Sequence, residues 1–144
     1  MIVEAASARD LACGLKAIAA RFARAGNRVF RRAGRVLADR SHVHVLRTPH
    51  EVRNAIAYVL LNARRHLVKR GRALPRIARI DPASSGRWFT GWHTGAPPVR
   101  DPPAVAAPRS WLLDVGWRRL GLIDGVEVPG AVRVRLRCWR TESR

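Results

Sequence analysis

The run from Thr48 to Gly71 constrains the fold most. Thr48 stands at an N-cap position, Pro49 at the first helical position, and Glu51 completes a capping box. Val52, Ile56, Val59, Leu60, Ala63 and Leu67 then recur at helical spacing as one apolar stripe. The pattern predicts a helix over 48–68, stopped by Gly71. Arg64, Arg65, Lys69 and Arg70 load its C-terminal end, where the helix dipole favours cations. At about 100° per residue, Tyr58, Asn62 and Arg65 share a different face.

The rest of the chain is read around that helix. Residues 7–25 predict a second amphipathic helix: Ser7 as N-cap, Asp10 in the first turn, and Leu11, Leu15, Ile18 and Phe22 on one face, with Gly26-Asn27 as its end. A basic hairpin or loop follows, then partial alternation over Ser41-His42-Val43-His44-Val45-Leu46, which predicts a strand. Residues 72–95 read as irregular. Residues 96–109 carry Pro97, Pro98, Pro102, Pro103 and Pro108 and read as an extended linker. Ser110 opens a short helix with Trp111, and Val132, Val134, Leu136 and Cys138 alternate with Arg133, Arg135 and Arg137 as a second, basic-faced strand. The expected fold class is therefore α+β, divided at 1–71, 72–109 and 110–144.

Net charge bounds the partners. The formal charge is +18, from 28 basic and 10 acidic residues, and every basic residue except Lys16 and Lys69 is arginine. A GC-rich genome writes arginine for lysine, but it does not write so large a basic excess. Guanidinium forks match phosphate oxygens, so nucleic acid is the expected partner. The excess is larger over 1–71, and the candidate DNA contacts are Arg28, Arg31, Arg32, Arg35, Arg40, Arg53, Arg64 and Arg65. Cys13 and Cys138 have no C-x-x-C spacing, which predicts neither a zinc site nor a disulfide framework and suits a cytoplasmic chain. Glu4, Arg9 and Asp10 interrupt any signal peptide, and no apolar run would span a bilayer, so no membrane partner is expected.

Tyr58 is the only tyrosine. A nucleophilic tyrosine on DNA needs an aimed phenol, a polarised phosphate and positive charge along the strand. Asn62 could ligate a metal from the next turn, and Arg64 and Arg65 could hold flanking phosphates. Spacing alone favours a tyrosine at the rim of the core beside a surface asparagine, since one Tyr and one Asn at i, i+4 is a common coincidence. Trp88 and Trp92 could stack on bases or anchor the tail to the helical body. The Arg133/Arg135/Arg137 face could track a phosphate backbone or keep an edge strand soluble.

The runs Gly34-Arg35-Val36-Leu37-Ala38-Asp39-Arg40-Ser41-His42, Leu46-Arg47-Thr48-Pro49-His50-Glu51-Val52-Arg53-Asn54-Ala55 and Tyr58-Val59-Leu60-Leu61-Asn62-Ala63-Arg64 together resemble the HUH single-tyrosine transposases. The nearest group is the REP-associated tyrosine transposases and small insertion-sequence transposases. The resemblance covers residues 1–70 and is weaker over 80–130. It implies part of a ferredoxin-like domain with two helices and one or two strands, plus a Pro-rich C-terminal extension. By resemblance, Tyr58 is the nucleophile that forms a 5′-phosphotyrosine link with single-stranded or hairpin DNA, Asn62 supports a divalent metal (Mg or Mn), and the domain forms a homodimer.

Ile2-Val3-Glu4-Ala5 resembles the end of the segment that follows the family's His-hydrophobic-His strand. On that reading the histidine strand would precede Met1, the chain is N-terminally truncated, and it is catalytically defective with no metal bound. His42-Val43-His44 spells the same motif, and two histidines at i, i+2 point the same way from a strand, but it falls after the first helix rather than before it. The expected function is DNA binding by a transposase-like chain. The alternatives are a non-catalytic basic nucleic-acid-binding protein and a pseudogene remnant.

Overall fold

The computed structural model describes residues 1–37, 42–74, 80–95, 99 and 101–130. Four α-helices lie among them: α1 (Ala8–Val29), α2 (Pro49–Leu60), α3 (Asn62–Lys69) and α4 (Trp111–Asp114), with 3₁₀ turns at Ser85–Trp88 and Gly116–Leu120. None of these helices is long and apolar enough to cross a membrane.

This architecture corrects the α+β expectation. Among the described residues there is no strand, only an isolated parallel bridge between Trp92 and Ile123. The described residues form helices, turns and irregular segments, with no ferredoxin-like sheet among them. His42 to Leu46 have no regular structure, and His42, Val43, His44 and Val45 are all exposed. Alternation alone supplies no ladder partner, and a strand without one is not stable in water. The second expected strand, 132–138, lies outside the described residues.

The helix termini follow local chemistry. The Ser7 hydroxyl accepts from Asp10 N–H at 3.1 Å and donates to the Asp10 carboxylate at 2.7 Å. α1 does not stop at Gly26-Asn27. Asn27 Nδ2 instead donates to the Gly34 carbonyl at 2.9 Å, tying down the following loop, and the helix continues to Val29. The turn beyond it puts Arg31 at φ 49°, a left-handed conformation that costs a non-glycine residue about 1 kcal/mol.

The predicted 48–68 helix is two helices. The capping box forms: Glu51 N–H donates to Thr48 Oγ1 at 3.2 Å, and the Glu51 carboxylate accepts from Thr48 N–H at 3.0 Å and Arg47 N–H at 2.7 Å. Leu61, at φ −110° and ψ 17°, then breaks the backbone between α2 and α3. Bonds from Leu61 N–H to Ala57 and from Arg65 N–H to Leu61 keep the two helices hydrogen-bonded around the bend. Gly71 (φ 64°) ends α3, and Arg72 N–H reaches back to the Leu67 carbonyl at 3.0 Å, the six-to-one bond of a Schellman stop.

The chain divides into two units, Met1–Arg53 with Ala106–Gly121, and Asn54–Val105 with Leu122–Arg144. In the first, the Glu4 carboxylate accepts from the backbone N–H groups of Arg109 and Ser110 at 2.7 and 2.9 Å. Ser110 caps α4, and Trp117 is buried with its indole N–H on the Leu113 carbonyl at 3.0 Å. Gly116 is required there, because a Cβ would sit 2.7 Å from the Trp111 ring.

In the second unit, Ile56, Ala57, Leu60, Leu61, Trp92 and Ile123 are buried. The Trp92 indole donates to the Gly86 carbonyl at 2.8 Å, and Phe89 meets its ring edge-on at 5.2 Å. Ile123 is fixed by bonds to Gly91 and His93 at 3.0 and 2.9 Å. Trp92 is thus an anchor and not a stacking surface.

Candidate nucleic-acid interface

At about 100° per residue, positions 58, 62 and 65 share a helix face across the α2–α3 bend. The structure brings two of them together. Tyr58 is 45% exposed, and the Arg65 guanidinium lies over its ring, 4.8 Å from the centroid. That contact desolvates neither group fully and is worth about 0.5–1 kcal/mol. It sets a guanidinium against the ring of a half-exposed phenol. Asn62 is half-buried, and its Oδ1 is a buried oxygen with no hydrogen-bond partner among the described residues.

Arg53 and Arg64, expected to contact a DNA strand, are placed differently. They are 7% and 6% exposed. Arg53 Nε donates to the Gly121 carbonyl at 3.0 Å, and Arg64 donates to the Val126 carbonyl at 3.2 Å. Each lies in its own unit and fastens a distant loop to α2 or α3. A sequence signal for this exists. Eleven residues separate the two, which returns them to nearly the same angle, beside Ala57 and Leu60 on the buried side. Sequence reasoning weighed their charge and passed over that angle.

The other basic candidates lie at the C-terminal end of α1. Arg28, Arg31, Arg32 and Arg35 are all exposed. Arg32 donates to the Arg35 carbonyl at 3.0 Å, and Arg35 Nε donates to the Leu37 carbonyl at 2.8 Å, so part of this cluster is held by its own backbone. Arg40 lies outside the described residues. Arg87 lies 5.2 Å over Trp88 and pairs with Asp101 at 3.4 Å, while the Trp88 indole donates to the Asp101 carbonyl. That leaves Trp88 half-buried in a local latch.

No group of three or more His, Cys, Asp or Glu side chains comes together among the described residues. His42 and His44 are exposed on an irregular segment, so the strand geometry that would align their rings is missing.

Two carboxylates are shifted. Hydrogen bonds from Arg47 and Thr48 N–H hold Glu51 below its ordinary value against slight desolvation. Burial pushes Glu4 up, but the Ser110 side chain, the Arg109 and Ser110 N–H groups and the Arg109 charge together bring it down. Both are structural anchors and neither lies beside Tyr58 in sequence.

No family model matches the chain, and no curated protein or solved structure matches it.

Proposed function

We propose that the chain is a DNA-binding protein that holds single-stranded DNA, with Tyr58 and Arg65 as its contact surface. One observation carries this reading: the only tyrosine is exposed and has a guanidinium stacked on its ring. An exposed ring accepts an unpaired base by stacking, worth about 1–3 kcal/mol per base. The neighbouring guanidinium takes the phosphate beside that base. The exposed Arg28, Arg31, Arg32 and Arg35 add sequence-indifferent affinity, and a cytoplasmic location accords with a DNA ligand.

The test is fluorescence anisotropy of a labelled single-stranded oligonucleotide. Tyr58→Ala weakens binding roughly tenfold, and Tyr58→Phe leaves it unchanged because the ring remains. Equal affinity in Tyr58→Ala overturns the reading.

The same exposure favours a second reading, the transposase-like one. There the Tyr58 phenol, having lost its proton, attacks a phosphodiester. It forms a phosphotyrosine bond and releases the strand's 3′-hydroxyl. A labelled hairpin oligonucleotide with Mg²⁺ or Mn²⁺ distinguishes the two: a covalent adduct that disappears in Tyr58→Phe assigns strand cleavage, and its absence assigns binding alone.

A further inference from the structure

The 3₁₀ turn Ser85–Trp88 is anchored at Gly86. The Ser84 hydroxyl accepts from Gly86 N–H at 3.2 Å, the Trp92 indole donates to the Gly86 carbonyl at 2.8 Å, and a Cβ at Gly86 would sit 2.7 Å from Ile80. Arg87 and Trp88 therefore leave a fixed backbone. The Arg87 guanidinium lies over the Trp88 ring, 5.2 Å from its centroid, which orients the planar fork. Two donors then converge on one residue. Arg87 Nη2 is 3.4 Å from the Asp101 carboxylate, and the Trp88 indole N–H donates to the Asp101 carbonyl at 3.3 Å. Asp101 thus offers the pair two oxygens and a single negative charge, as one phosphodiester does. Glu4, Glu51, Asp81 and Asp124 are used differently, each accepting from backbone N–H groups. The Arg87 and Asp101 side chains are 44% and 63% exposed, so water screens their attraction and a competing anion can open the pair.

We propose that Arg87 and Trp88 form a second phosphate site for single-stranded DNA, with the Asp101 carboxylate as its internal competitor. The inference rests on the reading of the chain as a single-stranded DNA-binding protein and adds a contact that Tyr58 and Arg65 do not make. When a strand binds, one phosphodiester oxygen replaces the carboxylate on Arg87 and a second accepts the indole N–H. No covalent bond changes. The competitor has a use in a chain of net charge +18, because it keeps the site closed to stray anions. A strand already held elsewhere on the chain presents its next phosphates at high local concentration and opens the pair, whereas a free anion does not.

Fluorescence anisotropy of a labelled oligothymidine strand over a salt series tests this on the full chain. Asp101→Asn removes the charge but keeps the backbone carbonyl, and it tightens binding about three- to fivefold. It also steepens the log–log salt dependence by about 0.7, the increment of one added phosphate contact on a single strand. Arg87→Ala changes the wild-type chain by less than about twofold and abolishes the gain in an Asp101→Asn chain. Asp114→Asn adds the same charge at another exposed position and leaves affinity and slope as in wild type. Inorganic phosphate at constant ionic strength does not displace the strand. The gain persists in a Tyr58→Ala chain, which keeps the two readings apart: full affinity in Tyr58→Ala sinks the Tyr58 surface and leaves this site standing. An Asp101→Asn chain that binds no tighter than Asp114→Asn, or a gain that survives Arg87→Ala, overturns the proposal. So does a chain with no affinity for the strand, or displacement by inorganic phosphate, which would assign the site to the free anion.

Discussion

α1 and α2 carry the same sequence signature and meet opposite fates. Each opens at a capped N-terminus and repeats apolar residues at helical spacing. α2 buries its stripe, with Val52, Ile56 and Leu60 at 3%, 6% and 7% exposure, whereas α1 buries none. Periodicity therefore specifies which side of a helix avoids water but not what covers it. The cover is supplied by other parts of the chain for α2. In α1 the described residues leave Leu11 and Leu15 half-buried and Ile18, Phe22 and Val29 exposed.

The sharpest way to break this comparison is to truncate one apolar side chain in each helix. Ile56→Ala removes a buried side chain and costs about 2–5 kcal/mol in a urea melt. Phe22→Ala, measured in dilute protein, costs under about 0.5 kcal/mol, because its ring is already in water. Equal losses would mean that α1 is covered within its own chain.

A second contrast lies within α3. Arg64→Ala removes a buried guanidinium from the Val126 carbonyl and lowers stability by about 2 kcal/mol. Arg65→Ala leaves the melt nearly unchanged and lowers single-stranded DNA affinity several-fold. If Arg64→Ala weakens DNA binding as much as Arg65→Ala does, without loss of stability, the internal role of Arg64 is wrong.

The smallest effect is read in acid. Glu51 is held below its ordinary value, so its capping contribution is complete above the unfolded-state pKa and is lost as pH falls through the lower folded one. Thr48→Ala, which removes the reciprocal cap, costs about 1 kcal/mol at neutral pH. Glu51→Gln makes the acid limb of the stability curve shallower. An unchanged acid limb would show that the box contributes nothing.

Much of the helical part was legible because its causes are local. The Thr48–Glu51 box, the Ser7 cap and the Gly71 stop each act within a few residues, and all three formed. The bend at Leu61 was not legible, since the apolar stripe runs through it without interruption. The false strand at 42–46 rested on alternation, which describes faces and cannot name a ladder partner. Tyr58 and Arg65 were legible as neighbours because they share a helix face. The bonds from Glu4 to Arg109 and Ser110 span more than a hundred residues, and no pattern in the chain announces them. Arg53 and Arg64 were misjudged because charge was weighed before angular position.

The Glu4 anchor also sets an order of events during synthesis. Its backbone partners belong to the stretch Ala106–Gly121, which completes the unit begun by Met1–Arg53. Every residue between must leave the ribosome first, about fifty residues at ~5–20 per second, or roughly 3–10 s. During that interval the amino-terminal segment waits with Glu4 unanchored and the stripe of α1 bare.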